Sequence, residues 1–306
     1  MAETQTTYTD DVPPGSLITQ DGQIQWAGLL MGPGTSFGVD SSGLTGWEDL
    51  PEIQSGDADR PTDHGAWPGA RYAKSRLVGG QVWLLPDPVG GEDAALDTVR
   101  TLRRALALRD EERWLAVRVH GETLAVRARV NQRVIPTDQA YATQGVAKAA
   151  VQWIATDPRR YQPTERVVGT PPPEPEVGLT WPLVWPLDWG QATSTGDVMA
   201  ENDGSAPAHP VITFQGPCAR PSVTQQGTGR KLSYDIQLAD TDQLVVDTGE
   251  GTVTLNGTAS RRYTATPDSG PEELFTFDSG VSELSFRADT STPAARMTVT
   301  WRSAEW

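Results

Sequence analysis

A chain of 306 residues with 37% hydrophobic content holds enough apolar material for two domains of ordinary size. Its 40 acidic residues against 25 basic ones give a formal net charge of −15, which disfavours sequence-independent gripping of a phosphate backbone. One cysteine, Cys218, excludes an intrachain disulfide, and the three histidines at 64, 120 and 209 form no cluster with metal-ligand spacing. The opening residues MAETQTTYTDDVPPG have neither a basic start nor an apolar run, so they read as neither signal peptide nor anchor. No stretch approaches the roughly 18 apolar residues that span a bilayer. The expectation is a protein made and folded in a cytoplasm, with no membrane insertion and no cofactor.

From the N-terminus, Ser16 to Leu30 carries a hairpin signal: Leu17, Ile18 and Thr19 lead into Asp21-Gly22, with Ile24, Trp26 and Leu29 beyond. The glycines of Gly32-Pro33-Gly34 lack the Lys-Ser/Thr and the βα context of a phosphate loop, and read as a turn. Further β-segments are predicted at Arg71 to Leu77 and Gln81 to Leu85, joined through Gly79-Gly80. One helix interrupts them at Asp93 to Leu108, where Ala95, Val99, Leu102 and Leu106 form a single apolar stripe. Glu92 and Asp93 near its start, and Arg100, Arg103, Arg104 and Arg109 later, suit the macrodipole.

After the helix, Trp114 to Val119, a turn at His120-Gly121-Glu122 and Leu124 to Ile135 make a long twisted hairpin, with Leu124, Val126, Ala128 and Val130 on one face. A strand from Gly145 to Thr156 ends at Pro158, which cannot donate to a ladder. The first domain is expected to span 1–165. A proline-rich connector containing TPPPEPEV follows at 166–196, and in its WPLVWPLDW segment an extended chain puts Trp181, Leu183, Trp185, Leu187 and Trp189 on one side. Such a row serves either as a carbohydrate platform or, more commonly, as a buried strap against a domain or a neighbouring subunit.

Residues 197–306 read as an antiparallel β-sandwich. Ile212 and Phe214 alternate with polar neighbours, and so do Leu232, Tyr234, Ile236 and Leu238. Leu244 to Asp247 turns through Thr248-Gly249-Glu250-Gly251 into Val253 and Leu255, and Asn256-Gly257 marks the next reversal. Leu284, Phe286 and Ala288, then Met297, Val299 and Trp301, supply the last strands. Acidic pairs such as Asp240 with Asp242, or Asp247 with Glu250, suit solvated turns better than general acid–base work. His64 follows Asp63, but no Ser or Cys stands in a nucleophile setting. No catalytic, cofactor-binding or metal-binding residue is assigned, and the chain is not expected to be an enzyme.

Four blocks in this order resemble a known family: DRPTDHGAWPGARYAKSRLVGGQVWLL at 59–85; the helix at 93–108 with its following hairpin; AVQWIATDPRRYQ at 150–162; and the run from Asn202-Asp203-Gly204 through LSYDIQL and LVVDTGEGTVTLNG to WRSAEW. The chain is similar in these to the distal tail proteins of long-tailed phages of siphophage type, also called minor tail proteins. The resemblance implies a mainly β protein: an N-terminal tail-tube-like β-domain with one helix, then a C-terminal, galectin-like β-sandwich. It implies a virion protein that forms a homo-hexamer at the distal end of the tail, made and assembled in the host cytoplasm. Partners would be the tail tube protein, the tape measure protein, the tail hub or tail-associated lysin, and receptor-binding or other minor tail proteins, with DNA passing through unbound. The TPPPEPEV connector and doubled WPL segment depart from some relatives. Candidate interface residues are Trp181, Leu183, Trp185, Leu187 and Trp189 on the strap, and Leu124, Val126 and Val130 on the hairpin. The rival reading is a carbohydrate-binding β-sandwich module for host or extracellular glycans, and a glycosidase is a third.

Overall fold

The computed structural model describes residues 12–174 and 194–306. The chain divides into two compact units, one running through Pro163 and the other from Thr164 to Glu305. Both are built mainly of antiparallel strands. No helix among the described residues is long and apolar enough to cross a membrane.

In the first unit the sheet runs in the order Leu29–Met31, Ile24–Trp26, Arg113–Val119, Glu122–Val134, Ala147–Ala155, Arg76–Leu84 and Phe37–Thr45. Glu122–Val134 is its pivot. Glu122 to Ala128 pair with Arg113–Val119, and from Arg129 onward the strand pairs with Ala147–Ala155, with a bulge between Val130 and Gln132. A bulge bends its strand and adds twist, which lets one strand serve two neighbours. His120 and Gly121 at the hairpin tip both have positive φ, 53° and 81°, as a two-residue turn matched to strand twist requires.

The helix occupies Gly91–Ala105 and buries Val99, Leu102 and Ala105, with Leu106 just beyond it, against the inner face of the sheet. Trp26 packs on Trp153 at 5.8 Å between ring centroids, and the Trp26 indole N–H donates to the carbonyl of Ala105 at 2.8 Å. This bond fixes the helix C-terminus with a group that would otherwise be an orphan acceptor. A second, short helix at Gln139–Gln144 was not expected. Asp138 caps its start by accepting from the Tyr141 N–H, and Gly145 ends it at φ 69°.

Two sequence expectations here are corrected. Asp21-Gly22 does not close a hairpin onto Leu17 to Thr19: the side chains of the buried Gln25 and Gln23 accept from the Leu17 and Thr19 N–H groups, replacing a ladder. The hairpin lies one step on, between Ile24–Trp26 and Leu29–Met31. Asp21 instead accepts from Gly121 N–H and Arg118 Nε, tying down the tip of the His120 hairpin. Gly79-Gly80 is likewise no turn, since both lie inside the Arg76–Leu84 strand. A Cβ on Gly80 would stand 2.6 Å from the Leu44 side chain, so glycine there admits the neighbouring strand where its register shifts.

In the second unit a six-stranded sheet (Arg166–Thr170, Arg296–Trp301, Val211–Gln215, Gln243–Asp247, Thr252–Leu255, Ala259–Ser260) and a four-stranded sheet (Asp197–Asn202, Gly280–Arg287, Ser222–Gln225, Lys231–Ser233) contribute to one core. Phe214 of the first lies 5.7 Å from Phe286 of the second, ring centroid to centroid. Two sheets whose alternate residues interdigitate in this way form a β-sandwich. Arg166–Thr170, expected within the connector, is a strand paired with Met297 to Trp301, because the prolines that would deny donors begin only at 171. The expected single strand from Leu232 to Leu238 breaks after Ser233, where Tyr234 bridges to Ala265, and resumes at Gln237–Leu238. The hairpin through Gly249 and Gly251 forms as read, with Asp247 accepting from the Gly249 and Glu250 N–H groups.

Asn202 is wholly buried and fully used: its amide donates to the carbonyls of Ala206 and Phe277 and accepts from the N–H groups of Gly204 and Ala304. It fixes the chain where it leaves one sheet. Cys218 is buried too, and burial pushes its thiol up to about 11. A thiol so placed is almost entirely protonated near neutrality and has no access to reagent. Intact protein at pH 8 should therefore take up less than a tenth of an equivalent of iodoacetamide in an hour, and one full equivalent in denaturant, as read by intact mass.

Candidate assembly interface

Between Thr45 and Arg76 the first unit extends an arm. Ile53–Ser55 pairs with Arg71–Ala73, and farther out Ala58–Asp59 pairs with Ala66–Trp67. Every residue from Glu52 to Pro68 is exposed, so the arm takes no support from the unit's core. It is nonetheless built to a pattern. At the joint between its two ladders, Gly56 N–H donates to the Ala70 carbonyl and Gly69 N–H donates to Asp57 at 2.7 Å. A Cβ on Gly69 would meet the Gly56 carbonyl oxygen at 2.1 Å, so the strands cross here only because Gly69 lacks one. Toward the tip, Arg60 lies over the Trp67 ring at 5.9 Å.

The arm's root is fixed by two buried arginines. Arg76, 1% exposed, donates from Nη1 to the carbonyls of Gly46, Trp47 and Asp49 at 2.7–2.9 Å, and from Nε to that of Pro158 at 2.7 Å. Burial, and less so the nearby Arg160, pulls its guanidinium down to about 10, still far enough above neutrality for it to stay charged. Arg160 pairs with Glu48 at 2.9 Å and lies over the Trp47 ring at 5.9 Å. Across the root, the Lys74 N–H donates to the Glu52 carbonyl at 2.7 Å. The chain is therefore held tightly where it leaves the sheet and released beyond it.

What the arm offers is apolar surface without a partner. Leu50, Trp67 and Tyr72 are 71%, 54% and 67% exposed, and Ile53 is 36% exposed. Interfaces are enriched in large aromatic anchors of this kind. The hairpin residues chosen from sequence are not part of this exposed surface. Leu124 and Val126 are buried in the unit's own core and Val130 packs against it, because the alternation that singles them out records inward packing. Trp181, Leu183, Trp185, Leu187 and Trp189 lie outside the described residues. Only one side of the arm was read, as part of the β-segment at Arg71 to Leu77, because its strands are two or three residues long and have no buried face. Paired glycines at 56 and 69, with Trp67 and Tyr72 in a Pro- and Asp-rich stretch, were the available signal.

Trypsin should cut first within the arm, at Arg71 or Lys74, leaving the Arg76–Leu84 strand intact. First cleavage in the 113–134 hairpin, seen by mass spectrometry, would contradict this placement.

Among the described residues no group of three or more His, Cys, Asp or Glu could hold a metal ion. The two β-built units, one bearing an unpacked arm with exposed Leu50, Trp67 and Tyr72, define a mainly β protein. The particular kind follows from its relatives. Residues 203–304 match the family model of the siphovirus-type tail component, C-terminal domain. The chain as a whole has the fold of the SPP1 Dit (gp 19.1) protein, described as a paradigm of the hub adsorption apparatus in phages infecting Gram-positive hosts. The TM-score is 0.61 at 12% identity, covering 92% of this chain and 98% of that one. It is also similar to a chain of the phage P2 baseplate in its activated conformation with Ca, with a TM-score of 0.50 at 8% identity, covering 87% of this chain and 91% of that one. No curated protein matches the sequence significantly. The resemblance to siphophage distal tail proteins read from the four sequence blocks thus holds in the fold and in the family model that residues 203–304 match.

Proposed function

We propose that this protein is a distal tail protein of a long-tailed phage. It assembles as a hexameric ring at the end of the tail tube, joins the tube to hub, baseplate or receptor-binding proteins, and leaves a central channel for tape measure and DNA. The observation that carries this reading is the likeness to SPP1 Dit over nearly the full length of both chains. Two physical features support it. The arm is a segment whose apolar side chains have no place in the protomer, as expected of one that packs on a neighbour. A net charge of −15 suits a passage through which DNA slides, because retention depends on cationic groups releasing counterions.

Negative-stain electron microscopy beside native mass spectrometry, over a range of concentrations and with tail tube protein added, tests the proposal. Closed rings of six copies with an open centre are expected. A protein that stays monomeric under all these conditions, template included, would overturn the ring.

A further inference from the structure

We propose that the arm of one copy seats its Trp67 side in the groove between the two helices of the next copy. This rests on the ring reading and specifies its contact. The groove, about 550 Å³, lies between Gly91–Ala105 and Gln139–Gln144. Its walls include Ala95, Leu96, Val99 and the Tyr141 ring, with Arg103 donating to the Tyr141 hydroxyl at 2.5 Å. Gly145 lets the helices approach closely, since a Cβ there would meet that of Ala95 at 2.6 Å. Leu96 remains 44% exposed. The volume falls in the range of clefts that accept a large apolar group.

Charge selects the occupant. Arg100, Arg103 and Arg104 are exposed toward the C-terminal end of the long helix, and Glu92 and Asp93 stand at its start. The arm carries the opposite net arrangement: Asp57, Asp59 and Asp63 outnumber Arg60 in its outer part, and Arg71 and Lys74 outnumber Glu52 at its root. Two bipolar surfaces of this kind match in one direction only, which sets register and suppresses the reversed pairing.

Geometry makes the contact intermolecular and directional. The arm leaves the sheet at the Arg76 end of the Arg76–Leu84 strand, which pairs with Ala155. The groove lies at the other end, where Leu84 pairs with Ala147, two residues beyond Gly145. A nine-residue strand separates them by about 27 Å. Donor and acceptor at opposite ends of one sheet generate a head-to-tail, heterologous interface, the kind that closes into a ring.

The test is a full-length variant carrying both Ala66→Cys, beside Trp67, and Ala142→Cys, on the groove wall, treated with a short bismaleimide, so that Trp67 and Leu96 stay in place. Native Cys218 is buried and silent. The expected product is a ladder of covalent multimers ending at the hexamer, whereas an equal mixture of the two single variants stops at dimers. Rings that form normally but give no 66–142 cross-link would overturn the docking and leave the ring standing; absence of rings from the unsubstituted chain under every condition would overturn both. Charge exchange gives a second readout. Asp59→Lys with Asp63→Lys should weaken assembly at least tenfold, and Arg100→Glu with Arg104→Glu added in the same chain should restore it. Failure of that restoration would also count against the contact.

Discussion

Replacing residues 53–73 with an Asn-Gly turn is expected to leave a folded protein that no longer forms rings. The two ends can be joined because Glu52 and Lys74 already share a backbone hydrogen bond at 2.7 Å, and Asn-Gly closes a tight reversal with little strain. The deleted segment is exposed almost throughout and contributes nothing to the unit's hydrophobic cluster, so stability should change by less than about 1 kcal/mol, as for surface changes away from special features. Assembly should change far more. Removal of two aromatic anchors at about 2 kcal/mol each corresponds to a loss of at least ~100-fold in association. Sedimentation velocity and thermal unfolding on the same samples separate the two effects. Rings from the deleted chain would move the subunit contact elsewhere, and a collapse of thermal stability would show that the arm supports its own unit.

The sequence displayed the packed part of this molecule and concealed the part that reaches outward, for one physical reason. Periodicity reports burial. Ile212 and Phe214 flank the half-buried Thr213, and Leu124 and Val126 share one face of their strand; all four are buried, as a two-residue period implies. Val99, Leu102 and Leu106 marked the helix in the same way, although its bounds shifted to Gly91–Ala105. That logic made Leu124 and Val126 poor interface candidates, since a side chain already buried in its own protomer has nothing left to give a neighbour. The arm has no buried face and hence no period. Its shape is set by Gly69 crossing Gly56 and by carbonyls gathered around Arg76, contacts whose partners lie 13 and 27 to 82 residues away. Arg76, a cation with no periodic neighbour to mark it, is among the most buried of the described residues.

Arg76→Met should therefore cost more than any surface substitution on this unit. Methionine fills the space of the arginine stem, but it leaves the carbonyls of Gly46, Trp47, Asp49 and Pro158 without their donor. Buried acceptors deprived of a partner cost about 1–3 kcal/mol each before relaxation. Allowing some of the four to reach water, a loss of about 3 kcal/mol is expected, or a fall in Tm of roughly 6–12 °C for a unit of this size. The arm should loosen with it: tryptic cleavage at Arg71 or Lys74 should accelerate at least tenfold, and ring yield should fall in parallel. Arg76→Lys separates charge from geometry. A lysine keeps the positive charge but carries it on a compact ammonium, which cannot span the three carbonyls of one loop and that of Pro158 as the planar guanidinium does. Lysine is expected to recover less than half of the lost stability. Full recovery would mean that a positive charge alone holds the root, through Glu48 and Asp49, and that the carbonyl clamp is incidental. Loss of stability with unchanged arm cleavage would mean that Arg76 braces the sheet without directing the arm.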